Sequence, residues 1–137
     1  MSEIRKCQVL IIGAGPGGYV AAIRSGQLGL ETIIVEGDKA GGVCLNIGCI
    51  PSKAMIHAAE RFEALRQHTS DEGHMGLTVE GEAQVDMSAM ISWKDSIVDK
   101  LTKGVEALLK GERSVMIGMV NNEIKFTPFS QAIKHND

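Results

Sequence analysis

The 137-residue chain has little aromatic content, with one Trp, one Tyr and three Phe. Its net charge is −3. Nucleic-acid partners are therefore not expected, because both stacking platforms and a cationic surface are missing. Long apolar runs are missing too. The longest near the start is Val9 to Ile12, far short of the roughly 20 residues that a membrane span needs. No membrane partner is expected. The leading residues 1–6 pass straight into that run, so no export signal is read. Cysteine is sparse, with three in the chain. Without an export signal they point to a reducing compartment, the cytoplasm, where a disulfide is more often transient and catalytic than structural. Cys7 stands apart and reads as a buried strand thiol. What remains is an ordinary globular balance, 44% hydrophobic and 23% charged, enough for one domain with a core.

Gln8–Ile12 is a β-branched run bounded by glycine and reads as a buried strand. Tyr19–Leu28 has helix-forming composition, and Gly29 is a stop signal. Thr32–Val35 is a second strand, ended by Glu36. Strand, glycine turn, helix and strand make a βαβ unit, whose handedness demands a parallel pair. Ser52–Gln67 is helical again, with Met55, Ala58, Ala59, Phe62 and Leu65 on one face. Thr69–Gln84 reads as a surface loop. Asp86 is placed to cap a helix running to Lys110, with Met90, Trp93, Ile97, Leu101, Val105 and Leu108 as its stripe. Ser114–Val120 reads as a third strand, and Glu123–Thr127 as a short one after an Asn-Asn turn.

Gly13, Gly15 and Gly18 form G-x-G-x-x-G between the first strand and the helix, with Pro16 and Gly17 inside it. Gly13 allows a tight turn, Gly15 lets a pyrophosphate approach the backbone, and Gly18 lets the helix pack on the sheet. The helix start offers free N–H groups and a positive dipole end to phosphate. Glu36 ends the next strand, where a carboxylate accepts hydrogen bonds from ribose hydroxyls. The motif implies a dinucleotide but does not separate NAD from FAD.

Segment 41–54, "GGVCLNIGCIPSKA", holds Cys44 and Cys49. Five positions apart on a regular helix, their Cα atoms would lie roughly 8–9 Å apart. A disulfide needs about 7 Å or less, so pairing requires distorted backbone. Free φ at Gly48 and the missing N–H of Pro51 can supply it. A helix start and the Lys53 cation would lower a thiol pKa there. A zinc site using His57 lacks a second cysteine pair. Inert thiols remain a further alternative.

"IIGAGPGGYVAAIRSGQLGLETIIVE" followed by "GGVCLNIGCIPSKA" resembles the flavin disulfide reductases. "CLNIGCIPSK" is most similar to their dihydrolipoyl dehydrogenase branch: glutathione- or mercury-specific relatives carry valine at Leu45, and glutathione types lysine at Ser52. The short step from Glu36 to Gly41 and "SWKDSIVDKLTKGVEALLK" resemble forms serving branched-chain 2-oxoacid dehydrogenase complexes. The resemblance covers residues 7 to 118.

It implies an incomplete Rossmann-like FAD-binding domain. A parallel sheet would be flanked by helices, with a short antiparallel meander near the C-terminus. Gly13, Gly15 and Gly18 would face the FAD pyrophosphate, and Glu36 the adenosine ribose. Gly42 and Val43 would line phosphates and flavin; many relatives have threonine at Val43, which would remove one hydrogen bond. Lys53 would sit near the flavin, and Gly118 would give a backbone contact to adenine. Cys44 and Cys49 would be the redox disulfide, passing electrons from a dihydrolipoyl group to FAD and then NAD. Relatives continue into an NAD domain and an interface domain whose partner subunit, in a homodimer, supplies a His–Glu pair. Residues 1–137 would then be a partial FAD-binding domain, truncated and inactive alone. Strand order 3-2-1-4 without strand four would leave the first strand with a bare edge. Two other readings stay open: a non-catalytic nucleotide-binding module, or a partial product that pairs with full-length subunits.

Overall fold

A computed structural model of the chain describes residues 6–69, 76, 77, 79–111, 114–120, 123 and 124. β1 (Val9–Ile12), α1 (Pro16–Gln27) and β2 (Thr32–Glu36) form the expected βαβ unit. The strands are parallel, with Val9 opposite Thr32 and Ile12 opposite Val35. α1 begins at Pro16 rather than Tyr19. Gly15 caps it in extended conformation, and Pro16 sits in the first turn, where its missing N–H breaks no helical bond. α1 ends in a Schellman turn: Gly29 has φ +79°, and the amides of Gly29 and Leu30 donate to the carbonyls of Gly26 and Ser25.

The next segment forms two helices, α2 (Gly42–Asn46) and α3 (Cys49–Thr69). Composition alone indicated one helix from Ser52. The described parts of 70–84 form no strand, as expected of a loop, while residues 70–75 and 78 lie outside the described set. Asp86 caps α4 (Met87–Gly111), its Oδ1 accepting the Ala89 N–H at 3.0 Å. β3 (Ser114–Val120) lies parallel to β2, with Glu36 opposite Gly118. β4 (Glu123–Ile124) pairs antiparallel with β3, the start of the expected return. Residues 121–122 and 125–127 of that return lie outside the described residues. The sheet order is β1-β2-β3-β4, an incomplete doubly wound α/β sheet.

Ile34 is fully buried, which contributes roughly 1.5–3 kcal/mol. It joins Ala14, Ala22, Ala40, Leu45, Val105 and Leu109 in the main core, which α1, α2 and α4 share with the sheet. On the opposite sheet face Ile33 and Val35 pack with Cys7. Cys7 is half-buried and precedes β1, so the expected buried strand thiol is corrected: the strand begins at Val9.

The stripe of α4 also differs. Val98, Thr102, Val105 and Leu109 turn inward, whereas Trp93, Leu101 and Leu108 keep 40–53% of their surface exposed. The helix carries two neighbouring apolar lines, and periodicity does not say which one meets the core. α3 packs on α4 through a similar partial face: Met55, Ala58 and Phe62 are half-buried, while Ala59 and Leu65 are exposed. β1 has one strand neighbour among the described residues, and its Ile12 is 81% exposed. No helix among the described residues is long and apolar enough to cross a membrane.

Candidate nucleotide and dithiol site

The chain leaves β1 through Gly13, whose φ is +94° and whose N–H donates to the Val35 carbonyl at 2.7 Å. That positive φ is what a glycine provides at low cost. Gly18 answers a different demand. A Cβ there would lie 1.8 Å from the Gly13 carbonyl oxygen, so only glycine lets the first turn of α1 nest against the strand exit. At Gly15 and Gly17 a Cβ would meet nothing within 4 Å. These two therefore border open space at the α1 N-terminus, whose first-turn amides have no partner inside the helix. The arrangement can receive an anionic group such as a pyrophosphate.

Glu36, at the end of β2, reaches back to this turn. Its Oε2 accepts the Ala14 N–H at 2.6 Å. Its Oε1 accepts the amides of Gly37 at 2.7 Å and Asp38 at 3.1 Å. The buried Ala14 is held from both ends, because its carbonyl accepts the Gly41 N–H at 2.8 Å. Gly42 then lies directly on the glycine turn: with φ +58°, a Cβ there would come within 2.8 Å of the Gly15 Cα. The two motifs are thus one surface. A groove of about 160 Å³ runs beside it, lined by Glu36, Asp38, Lys39, Gly42, Val43, Asn46 and Ile47. That volume is too small for a whole dinucleotide and suits a portion of one.

Cys44 lies in α2 and Cys49 opens α3. Both are free thiols, Cys44 half-buried and Cys49 exposed. The break between the helices brings the two cysteines near enough for the Cys49 side chain to act on the Cys44 thiol. Gly48 makes the approach possible by its size: a Cβ would lie 2.9 Å from the Val43 carbonyl oxygen and 3.3 Å from the Cys44 Cα. The expectation of a special φ at Gly48 is therefore corrected to one of steric clearance. Pro51 sits inside the first turn of α3, where its N–H is not required, and the Ser52 N–H already reaches the Gly48 carbonyl at 3.0 Å.

The lowered thiol pKa expected for this pair is not found at Cys44, which is pushed above the ordinary thiol value. The neighbouring Cys49 side chain is the main cause, followed by desolvation and the Cys49 charge. The Cys49 backbone N–H and the Lys53 cation act in the lowering direction and are outweighed. In the dithiol state the pair therefore keeps a proton on Cys44.

Lys53 is exposed on α3, one turn beyond Cys49, and Gly118 pairs with Glu36 at the same end of the sheet. Val43 is exposed on the groove wall. Among the described residues no three metal-ligating side chains gather, and His57 is exposed on α3. His74 and His135 lie outside the described residues.

The sequence pattern of the family "Pyridine nucleotide-disulphide oxidoreductase" matches residues 7–128. The chain belongs to this family. It is 56% identical over 110 residues to a dihydrolipoyl dehydrogenase of Pseudomonas aeruginosa, covering 80% of this chain and 23% of that protein. It is 51% identical over 117 residues to the Bacillus subtilis dihydrolipoyl dehydrogenase, covering 85% and 23%. The chain thus spans under a quarter of these relatives' length. Among solved structures, the fold is similar to "Cu(II) complex of HOCl-induced flavoprotein disulfide reductase RclA from Escherichia coli". That likeness has a TM-score of 0.64 at 24% identity, over 84% of this chain and 22% of the other.

Within this oxidoreductase fold, two side chains of the site were not singled out from the sequence. Asn46 donates through Nδ2 to the carbonyls of Ala40 and Gly42, both at 3.0 Å. Thr102, on the buried line of α4, donates to Asn46 Oδ1 at 3.1 Å. A threonine inside an apolar stripe was the available signal, because a buried hydroxyl needs a partner.

Proposed function

We propose that these residues are the FAD- and dithiol-bearing N-terminal part of a dihydrolipoyl dehydrogenase. Such an enzyme oxidises dihydrolipoyl groups of 2-oxoacid dehydrogenase complexes. One observation carries the reading: the two short-spaced helices that bear Cys44 and Cys49 pack, through Gly42, directly against a strand–glycine–helix nucleotide cradle. The names of the similar proteins support the substrate class.

FAD fits the cradle by its donor set and its open glycine face. Gly13, Gly15, Pro16, Gly17 and Gly18 would hold the pyrophosphate, and the Gly118 backbone the adenine. Glu36 already accepts three amides, and its carboxylate has about four acceptor positions, so one is left for a ribose hydroxyl. Gly42, Val43 and Lys53 would face the remainder of the cofactor. When bound, FAD supplies the two-electron chemistry that connects the dithiol to NAD⁺ in a full-length homodimer.

The chain's own chemistry is thiol–disulfide exchange. A dihydrolipoyl thiolate attacks the Cys44 sulfur of the oxidised pair, and Cys49 leaves as thiolate. The second lipoyl thiolate attacks the lipoyl sulfur of this mixed disulfide, and Cys44 leaves and takes a proton. The lipoyl group closes as a disulfide, and the two cysteines retain its electron pair. The upward shift at Cys44 favours that protonated product.

The test mixes the oxidised 137-residue chain with dihydrolipoamide. About one disulfide equivalent per chain should exchange. Cys44→Ser should abolish it. Added FAD should bind, giving a yellow protein with a long-wavelength band once the thiols are reduced. NAD⁺ turnover by these residues alone is expected to be absent. Normal FAD binding without any exchange would favour a non-catalytic nucleotide-binding module instead.

A further inference from the structure

We propose that Asn46 and Thr102 form a positioning link through which α4, a helix that supplies no sulfur, sets the geometry of the cysteine pair. The inference rests on the dithiol reading above. α2 has five residues, too few to hold its own shape in water. Its last residue, Asn46, lies two positions beyond Cys44. Both protons of its amide are spent on the carbonyls of Ala40 and Gly42, at 3.0 Å each. That fixes the amide's orientation, because carbonyls accept only from the NH₂ side. Oδ1 is left to face α4, where the Thr102 hydroxyl donates at 3.1 Å across 56 residues of sequence.

Thr102 is 9% exposed and sits among core residues of α4. It lines neither the groove nor the thiol pair. Ala40–Gly42 is the same stretch that grips the glycine turn through Gly41 and Ala14. The link therefore joins three parts: the turn under the nucleotide cradle, the helix bearing Cys44, and α4. Removing the Thr102 hydroxyl leaves Oδ1 without its α4 partner and releases the end of α2. Cys44 then loses its fixed distance to Cys49.

The experiment compares the 137-residue chain with Thr102→Val, which keeps the shape, and Thr102→Ser, which keeps the hydroxyl. Each is equilibrated with oxidised and reduced dithiothreitol. Two cysteine thiols give two electrons and two protons to the oxidised reagent and form their disulfide. The expected result is a fall of about tenfold in that equilibrium constant for Thr102→Val, recovered by Thr102→Ser. Amide exchange at residues 42–47 should accelerate by a similar factor and recover likewise. A lower melting temperature with unchanged disulfide equilibrium and unchanged exchange at 42–47 would overturn the proposal, since Thr102 would then serve core stability alone. So would a serine variant that behaves like valine. If the parent forms no disulfide, the dithiol reading itself fails. Amide exchange then decides the Thr102–Asn46 contact by itself: acceleration supports it and an unchanged rate overturns it.

Discussion

Glu36 holds Ala14: its Oε2 accepts the Ala14 N–H at 2.6 Å across 22 positions of sequence. The carboxylate thereby shapes the glycine turn from outside it, while Oε1 gathers the amides of Gly37 and Asp38. An acid at this strand end is expected to meet a ribose. Here it also organises the loop that would meet the phosphates. Hydrogen bonds to a charged group are worth about 1.5–3 kcal/mol each. Glu36→Gln presents an NH₂ to backbone donors and weakens at least one of them. Expected are a loss of about 1–3 kcal/mol in ligand-free stability by urea titration and about tenfold weaker FAD binding. A ligand-free variant as stable as the parent would show that the carboxylate acts on the ribose alone.

The glycines of the turn should separate into two classes. Gly18→Ala forces a Cβ to 1.8 Å from the Gly13 carbonyl oxygen, a backbone atom that cannot swing aside. The expected cost is several kcal/mol, read as a collapse of the thermal transition. Gly17→Ala meets open space and lies in the first turn of a helix. Alanine there should stabilise by up to about 1 kcal/mol, yet weaken FAD binding by filling the cradle. Equal melting shifts for the two variants would contradict this division.

Much of this architecture is legible in residue order, and the limits have physical causes. A β-branched run bounded by glycine marks β1, a run ended by Glu36 marks β2, Ser114–Val120 is legible as β3, and Asp86 announces the start of α4. Gly48 was located as the enabling residue, but for its torsion rather than its size. Clearance against Val43 and Cys44 is a three-dimensional fact that no spacing rule contains. The Lys53 cation expected to lower a thiol pKa in this segment does not prevail at Cys44, where the nearby Cys49 outweighs it, and that nearness follows only from the fold. Thr102 finds its partner 56 residues away, so no local pattern could pair them.

The thiols should report that proximity through their pH dependence. Alkylation follows the thiolate fraction, so the Cys44 rate rises as pH climbs through its raised pKa. Cys49→Ala removes the neighbouring thiol and the charge that retain the proton, so the Cys44 midpoint should move down and its neutral-pH rate increase. Lys53→Met removes a cation acting in the lowering direction, so the midpoint should move up. Peptide-resolved iodoacetamide kinetics would measure both. A Cys49→Ala midpoint at or above the parent's is the contrary result.

The β1 edge should govern self-association. Leu10 and Ile12 share one sheet face and are 59% and 81% exposed, on a strand with one neighbour among the described residues. Parallel strands are normally covered on both faces, and an apolar edge is a template for pairing with another chain. Leu10→Lys places a charge on that edge without touching the main core, so its stability cost should stay within about 0.5 kcal/mol. Sedimentation velocity should show less oligomer than the parent at equal concentration. A variant that associates as strongly would move the cause to another exposed apolar surface, that of Trp93, Leu101 and Leu108 on α4. Leu101→Lys would then be the substitution that lowers association, because it charges that helix face and leaves the strand edge as it was.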